Sequence, residues 1–203
     1  MAATRETADE RRARLIDVAR DVIASEGVAA CTFRRLAAAA GTSTRPFTHA
    51  FGTRDDLLRA VALSTWEGAG FDVSDPRAVE RPAGWDCAEE LKAIGEHWLP
   101  LSEPQTVAER LYFEIVLYSL TRPRLHDELL GFSYAANAHI AALVAAGQAD
   151  GQIASRDAPE RIAITLIALQ AGIAFTTIHE PAALPPDEAR SVWREGVDRI
   201  LRG

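Results

Sequence analysis

Between Gly27 and Arg54 the chain reads GVAACTFRRLAAAAGTSTRPFTHAFGTR, with four arginines (Arg34, Arg35, Arg45, Arg54), one histidine (His49) and no acidic residue. The whole sequence has a formal net charge of −7, so this cationic island is a local exception. The stretch also carries the punctuation of two short helices. Thr32 stands where an N-cap is needed, and Phe33, Leu36, Ala37 and Ala40 follow at helical spacing. Gly41 ends that helix, because glycine tolerates the left-handed conformation that helix ends often adopt. The second helix starts between Ser43 and Arg45. Pro46 fits only its first turn, where a missing N–H has no helical partner to lose. Phe47, Ala50 and Phe51 then face inward, and Thr44, Arg45, Thr48 and His49 outward. A short helix, a glycine turn and a second helix with an exposed Arg/Thr/His face make a helix-turn-helix.

The remainder of the 203 residues is read as helical too. Helix one runs from about Glu10 to Glu26, with Leu15, Ile16, Ala19, Val22 and Ile23 on one face. Helix four begins at Thr53, with Asp56 completing a capping box, and continues past Trp66. Gly68 to Gly84 is rich in Gly, Pro and Asp and reads as a loop. Helix five is capped by Asp86 and ended by Pro100. Helix six follows Ser102 and is apolar on two faces, Val107/Leu111/Ile115/Tyr118 and Phe113/Leu117/Leu120, which predicts a place in the middle of a bundle. Helix seven spans about Pro123 to Gly147. Helix eight opens on Asp157, Pro159 and Glu160, a further capping box, and helix nine follows Pro185–Pro186. No segment alternates with period two over strand length. The expected class is all-α, about nine helices: a helix-turn-helix head over residues 1–54, helix four from 53 linking onward, and a helical bundle over 55–203.

Charge divides along the same line. Residues 1–60 hold ten Arg and eight Asp/Glu, a net of +2, and the rest hold twelve Lys/Arg and twenty-one Asp/Glu, a net of −9. A mildly basic head on an acidic body suits a protein that touches DNA with one end. No cationic, apolar leader opens the sequence, so a cytoplasmic protein is expected. Cys31 and Cys87 are too few and too far apart for a disulfide framework or a zinc site. No phosphate loop, H-E-x-x-H or nucleophile constellation is present, and the five histidines lack metal-ligand spacing. Neither catalysis, nor a cofactor, nor a metal is expected.

The run Ile162 to Ile178 is apolar almost all round, but its length falls short of the roughly 20 residues that span a bilayer, and Gln170, Thr165, Thr176 and Thr177 interrupt it. No membrane partner is expected. One face, Ile162/Leu166/Leu169/Ile173, meets its own bundle. The other, Ile164, Ile167, Ala171, Ala174, Phe175 and Ile178, is left over and suits a second copy of the chain. Helix nine, through Trp193, Val197 and Ile200, is expected beside it.

The segment from about Arg12 to Leu63 resembles the DNA-binding domain of the tetracycline-repressor (TetR/AcrR) family. The residues that carry the likeness are LIDVARDVIASEG, TFRRLAAAAGTS and FTHAFGTRDDLL. Two positions depart from the family pattern. Thr48 stands where the family usually has a phosphate-gripping tyrosine, and Ala50 where it has the following histidine. The resemblance implies DNA contacts at Arg34, Thr44, Arg45, Pro46, Thr48, His49 and Arg54. Ser43 and Arg35 join them as neighbours on the same surface. It also implies a homodimer formed through the last two helices, a palindromic double-stranded operator, and an inducer held between helices four and eight.

Several polar or aromatic residues interrupt apolar faces of the second domain: Trp66, Trp98, Tyr112, Glu114, Tyr118, His139, Gln170 and Thr176. Singly each reads as a satisfied core residue. Taken with the resemblance they read as a small-molecule site, and an acid among aromatics suits a cationic or amphipathic ligand. The expected function is a ligand-responsive repressor released from its operator by a small-molecule inducer. A regulator without ligand control, an activator, and an α-helical enzyme or carrier with a vestigial head remain open alternatives.

Overall fold

A computed structural model describes residues 6–65, 75–79 and 81–203. Among the described residues the chain forms nine α-helices, a 3-10 turn and no strand: α1 (Ala8–Glu26), the turn Val28–Ala30, α2 (Phe33–Ala39), α3 (Arg45–Phe51), α4 (Arg54–Ser64), α5 (Cys87–His97), α6 (Glu103–Ser119), α7 (Pro123–Ala149), α8 (Pro159–His179) and α9 (Pro186–Arg202). The chain divides into two compact units, Met1–Glu67 with Arg110–Leu129, and Gly68–Glu109 with Leu130–Gly203. The first unit is larger than the expected head, because Leu111, Ile115, Leu125 and Leu129 share its core with Leu15, Ile23, Leu36, Phe47, Leu57 and Leu58.

Local chemistry explains the helix starts. Thr7 and Glu10 close a capping box on α1, two residues ahead of the expected start. Thr32 accepts from the N–H of Arg35, and Thr53 with Asp56 boxes the start of α4. At the end of α2, Thr42 N–H reaches the Ala37 carbonyl at 2.9 Å, and Gly41 takes φ 61°, a conformation that side chains resist. Phe33 and Phe47 stack with centroids 6.2 Å apart, fixing α3 against α2. The expected box on α8 is absent: Ala158 is the N-cap, with no side-chain bond, and Pro159 in the first turn sets the helix start instead. Any continuation of α4 past Trp66 lies outside the described residues, as does part of the Gly68–Gly84 loop.

The second face expected for α6 is not a buried one: Leu117 and Leu120 are 64% and 60% exposed. In the second unit α9 packs on both α5 and α8. Trp193 is buried there and its Nε1 donates to the Lys92 carbonyl at 2.9 Å. Gly95 makes room for that indole, since a Cβ at this position would fall 2.0 Å from Trp193 Cζ2. By length and composition α7 and α8 could each cross a membrane, but α8 buries Ile162, Ala163, Leu166 and Ile173 within the unit. Cys31 and Cys87 are buried thiols, pushed up by burial to about 11 and about 12, and so stay protonated.

Candidate functional site

The helix α3 shows two chemically distinct sides. Phe47 and Phe51 are buried, while Ser43, Thr44, Arg45, Thr48 and His49 are exposed and Pro46 is half-buried. Arg34 is exposed on α2. Thr48 Oγ1 donates to the Arg45 carbonyl at 3.1 Å, which holds the hydroxyl close to its own helix. Arg12 closes the other end of α3: its Nη1 donates to the Ala50 carbonyl at 3.1 Å and its guanidinium lies 4.5 Å from the Phe51 ring centroid. Arg35 is engaged with Glu26 through two hydrogen bonds, and that pair holds the Glu26 carboxyl below the usual range.

Arg54 is placed differently from the exposed arginines. Its Nε donates to the Cys31 carbonyl at 2.6 Å and its Nη2 to the Val28 carbonyl at 2.6 Å. Its Nη1 bonds the Tyr118 hydroxyl, with the guanidinium 4.8 Å from the ring centroid. Arg122 covers the same ring at 3.6 Å. Glu114 accepts from the Val28 N–H at 2.9 Å. Around this brace, Arg124 pairs with Asp56 at 3.0 Å and Arg59 with Glu128 at 3.3 Å. Solvent-exposed pairs of this kind contribute little to stability. The hydrogen bond from the Val28 N–H matters more, because that group has no partner within the turn.

The residues expected around a ligand are divided between the two units. Trp66 lies outside the described residues. Glu114 and Tyr118 are committed to the brace just described, and Tyr112 packs against the first unit's core. Trp98, His139, Gln170 and Thr176 belong to the second unit. There Gln170 Nε2 donates to the Trp98 carbonyl at 3.0 Å, His139 Nδ1 to the Pro76 carbonyl at 3.0 Å, and Thr176 Oγ1 to Gly172 in its own helix at 2.9 Å. One residue in this region went unread: Glu109, buried in the second unit beside Gln170, its carboxyl pushed up to about 8 by burial. The signal available was its place three and four residues before Tyr112 and Phe113, an acid at apolar spacing.

The expected dimer residues fall into two groups. Ala174, Trp193 and Val197 are already covered within the subunit, so they are core positions and a correction to the expected interface. Ile164 and Phe175 are 52% and 56% exposed, and Ile167, Ala171, Ile178 and Ile200 are half-buried. Val192, on α9, is exposed as well.

Comparison with known proteins accounts for both parts of the chain. Residues 15–61 match the family described as bacterial regulatory proteins, tetR family, and residues 87–202 match the BetI-type transcriptional repressor, C-terminal. A transcriptional regulator from Rhodococcus sp. Rha1 shares the fold with a TM-score of 0.76 at 24% identity, over 95% of this chain and 96% of that one. A protein from Saccharomonospora viridis in complex with choline gives a TM-score of 0.74 at 18% identity, over 94% and 96%. The multidrug binding protein EbrR complexed with imidazole is 28% identical, with a TM-score of 0.64 over 95% of each chain. No curated protein matches. With a tetR-type helix-turn-helix at its start and a BetI-type region over more than half its length, the chain belongs to the tetR family of transcriptional regulators.

Proposed function

We propose that this regulator is a repressor: a cytoplasmic homodimer that binds a palindromic operator and leaves it when a small molecule enters the second unit. The observation that carries the DNA half is α3, buried through Phe47 and Phe51 and exposed through Arg45, Thr48 and His49. Arg45, at the helix start, reads a base edge, where arginine pairs well with guanine. Arg34, Ser43, Thr44, Pro46, Thr48 and His49 follow the backbone around it. Arg35 has to leave Glu26 before it can meet a phosphate. Arg54 acts from inside, holding the 3-10 turn on which α2 is set.

The exposed apolar side chains of α8, Ile164 and Phe175, support the dimer, with Ile167, Ala171, Ile178 and Ile200 around them. Two-fold symmetry would then present two recognition helices about 34–36 Å apart, one duplex turn. Ligand control is supported by relatives: the Saccharomonospora viridis protein holds choline, and EbrR holds imidazole. The ligand would favour a state whose heads no longer match the two half-sites.

The test is recovery of genomic DNA by the purified protein, followed by affinity measurement on the recovered site with and without candidate ligands. Arg45→Ala should cost about 1–3 kcal/mol on the cognate site and relax specificity at one position. An equal loss on all sequences would make Arg45 a phosphate contact. Recovery of no specific site would overturn the reading.

A further inference from the structure

The recognition helix α3 has little hold on its own shape. It is seven residues long, and isolated helices under about 12–15 residues are marginal in water. No side chain caps its start at Thr44. Contact with other elements is what fixes it. On its inner side the Phe47 ring stacks on Phe33 of α2. At its far end Gly52 closes the helical ladder on the Thr48 carbonyl, so the Ala50 carbonyl lies beyond the last helical donor. Arg12 Nη1 fills that place from α1, and the same guanidinium lies over the Phe51 ring.

Arg12 is well mounted for this. The helix that carries it is nineteen residues long, starts on the Thr7–Glu10 capping box, and buries Leu15 and Ala19 one and two turns further on. Among the described residues Arg12 pairs with no carboxylate, whereas Arg11 and Arg14 both meet Glu6. Its fork is committed to α3 alone. A base-reading arginine depends on such a hold. Arg45 stands at the opposite end of α3, about 10 Å away at 1.5 Å per residue, so a tilt released at Ala50 is felt there. Bidentate pairing with a base edge fails when the side chain is misplaced by roughly 1 Å. Contacts to phosphate survive small shifts, because they can be remade on any sequence.

We infer that Arg12 is a positioning residue for sequence reading: from α1 it holds the end of α3 so that Arg45, five positions before Ala50, meets a base edge. The inference rests on the reading that Arg45 contacts the operator. Arg12 then sets the ratio of specific to non-specific affinity without itself lying on the DNA. Its geometry matters here more than its charge. A lysine keeps the charge, but one ammonium cannot at once meet the Ala50 carbonyl and lie flat over the Phe51 ring.

The experiment measures affinity of the whole protein for the operator recovered from genomic DNA and for a random duplex of the same length, across a salt series. Each variant is studied at a temperature where circular dichroism shows it folded. Arg12→Lys should weaken operator binding by about five- to tenfold, change random-duplex binding by less than about twofold, and leave the salt slope as it is. Arg12→Met, which removes the donor altogether, should weaken operator binding further. In an Arg45→Ala background Arg12→Lys should cost less than about twofold, because the contact it positions is already gone. Either variant decides the matter if the other does not fold. Operator affinity unchanged by both variants, equal losses on the two duplexes, or a loss undiminished in the Arg45→Ala background would each overturn the inference and leave the operator reading standing. In the equal-loss case, a salt slope reduced by about one in Arg12→Met would put Arg12 on a phosphate. A wild-type protein that prefers no sequence would overturn the operator reading, and the inference with it.

Discussion

The carboxylate of Glu114, on α6, accepts a hydrogen bond of 2.9 Å from the backbone N–H of Val28, eighty-six positions earlier in the chain. That N–H opens the 3-10 turn and has no partner within it. Glu114→Ala should leave it unsatisfied and cost about 1–3 kcal/mol, whereas Glu114→Gln, which still offers a carbonyl oxygen, should cost much less. Urea unfolding of the two variants measures the difference, and equal losses would assign the effect to charge rather than to the hydrogen bond.

Arg54 uses its fork on four acceptors, the carbonyls of Val28, Ala29 and Cys31 and the Tyr118 hydroxyl. A lysine ammonium is a point charge on a flexible stem and cannot meet the same set. Arg54→Lys should therefore destabilise the protein by about 1.5–3 kcal/mol. It should weaken operator binding without altering the slope of log affinity against log salt. A slope reduced by about one would put Arg54 on a phosphate instead.

Neighbouring residues on α8 should respond differently to the same charge. Phe175 is exposed and Ala174 fully buried. Phe175→Glu should yield a folded monomer by sedimentation, with helical content retained. Ala174→Glu should unfold the subunit, since it forces an unpaired charge into the core. A Phe175→Glu protein that stayed dimeric at micromolar concentration would move the interface off this face.

Burial of Glu109 also makes stability depend on pH. Its folded-state value is raised from 4.5 to about 8, so between those values the folded chain holds a proton that the unfolded chain has released. Stability is intact below about pH 4.5, falls as pH rises, and reaches its full loss above about 8. The loss is on the order of a few kcal/mol. Glu109→Gln should remove it, so the variant should gain on wild type between pH 5 and pH 9. Parallel denaturation curves at the two pH values would mean that Glu109 is solvated.

Much of this was legible because it is local. Thr32, Thr53 with Asp56, and Gly41 act within four residues of themselves, and short-range spacing is what a sequence displays directly. The inward turn of Phe47 and Phe51 follows from the same period. What could not be read depends on distant partners. Nothing in TFRRLAAAAGTSTRPFTHAFGTR says that Arg54 will turn towards Val28 and Cys31 while Arg45 stays in water. Periodicity marked Leu117 and Leu120 as apolar but could not say whether anything covers them. Asp157 looked like a cap because of its spacing to Glu160, yet Pro159 shifted the helix start onto Ala158. Ala174 and Phe175 sit side by side in an apolar run, and only the packing of the unit shows which of them is covered.

The absence of a side chain at Gly95 has a consequence for how this chain varies among its relatives. Gly95 and Trp193 occupy what is in effect one volume, divided so that the first residue takes none and the second takes nearly all. Neither position is free to drift by itself. A methyl gained at one has to be surrendered at the other, or the seam between α5 and α9 opens. Across homologous chains the two sites should therefore behave as a single inherited character, with a larger residue at the first accompanied by a smaller one at the second.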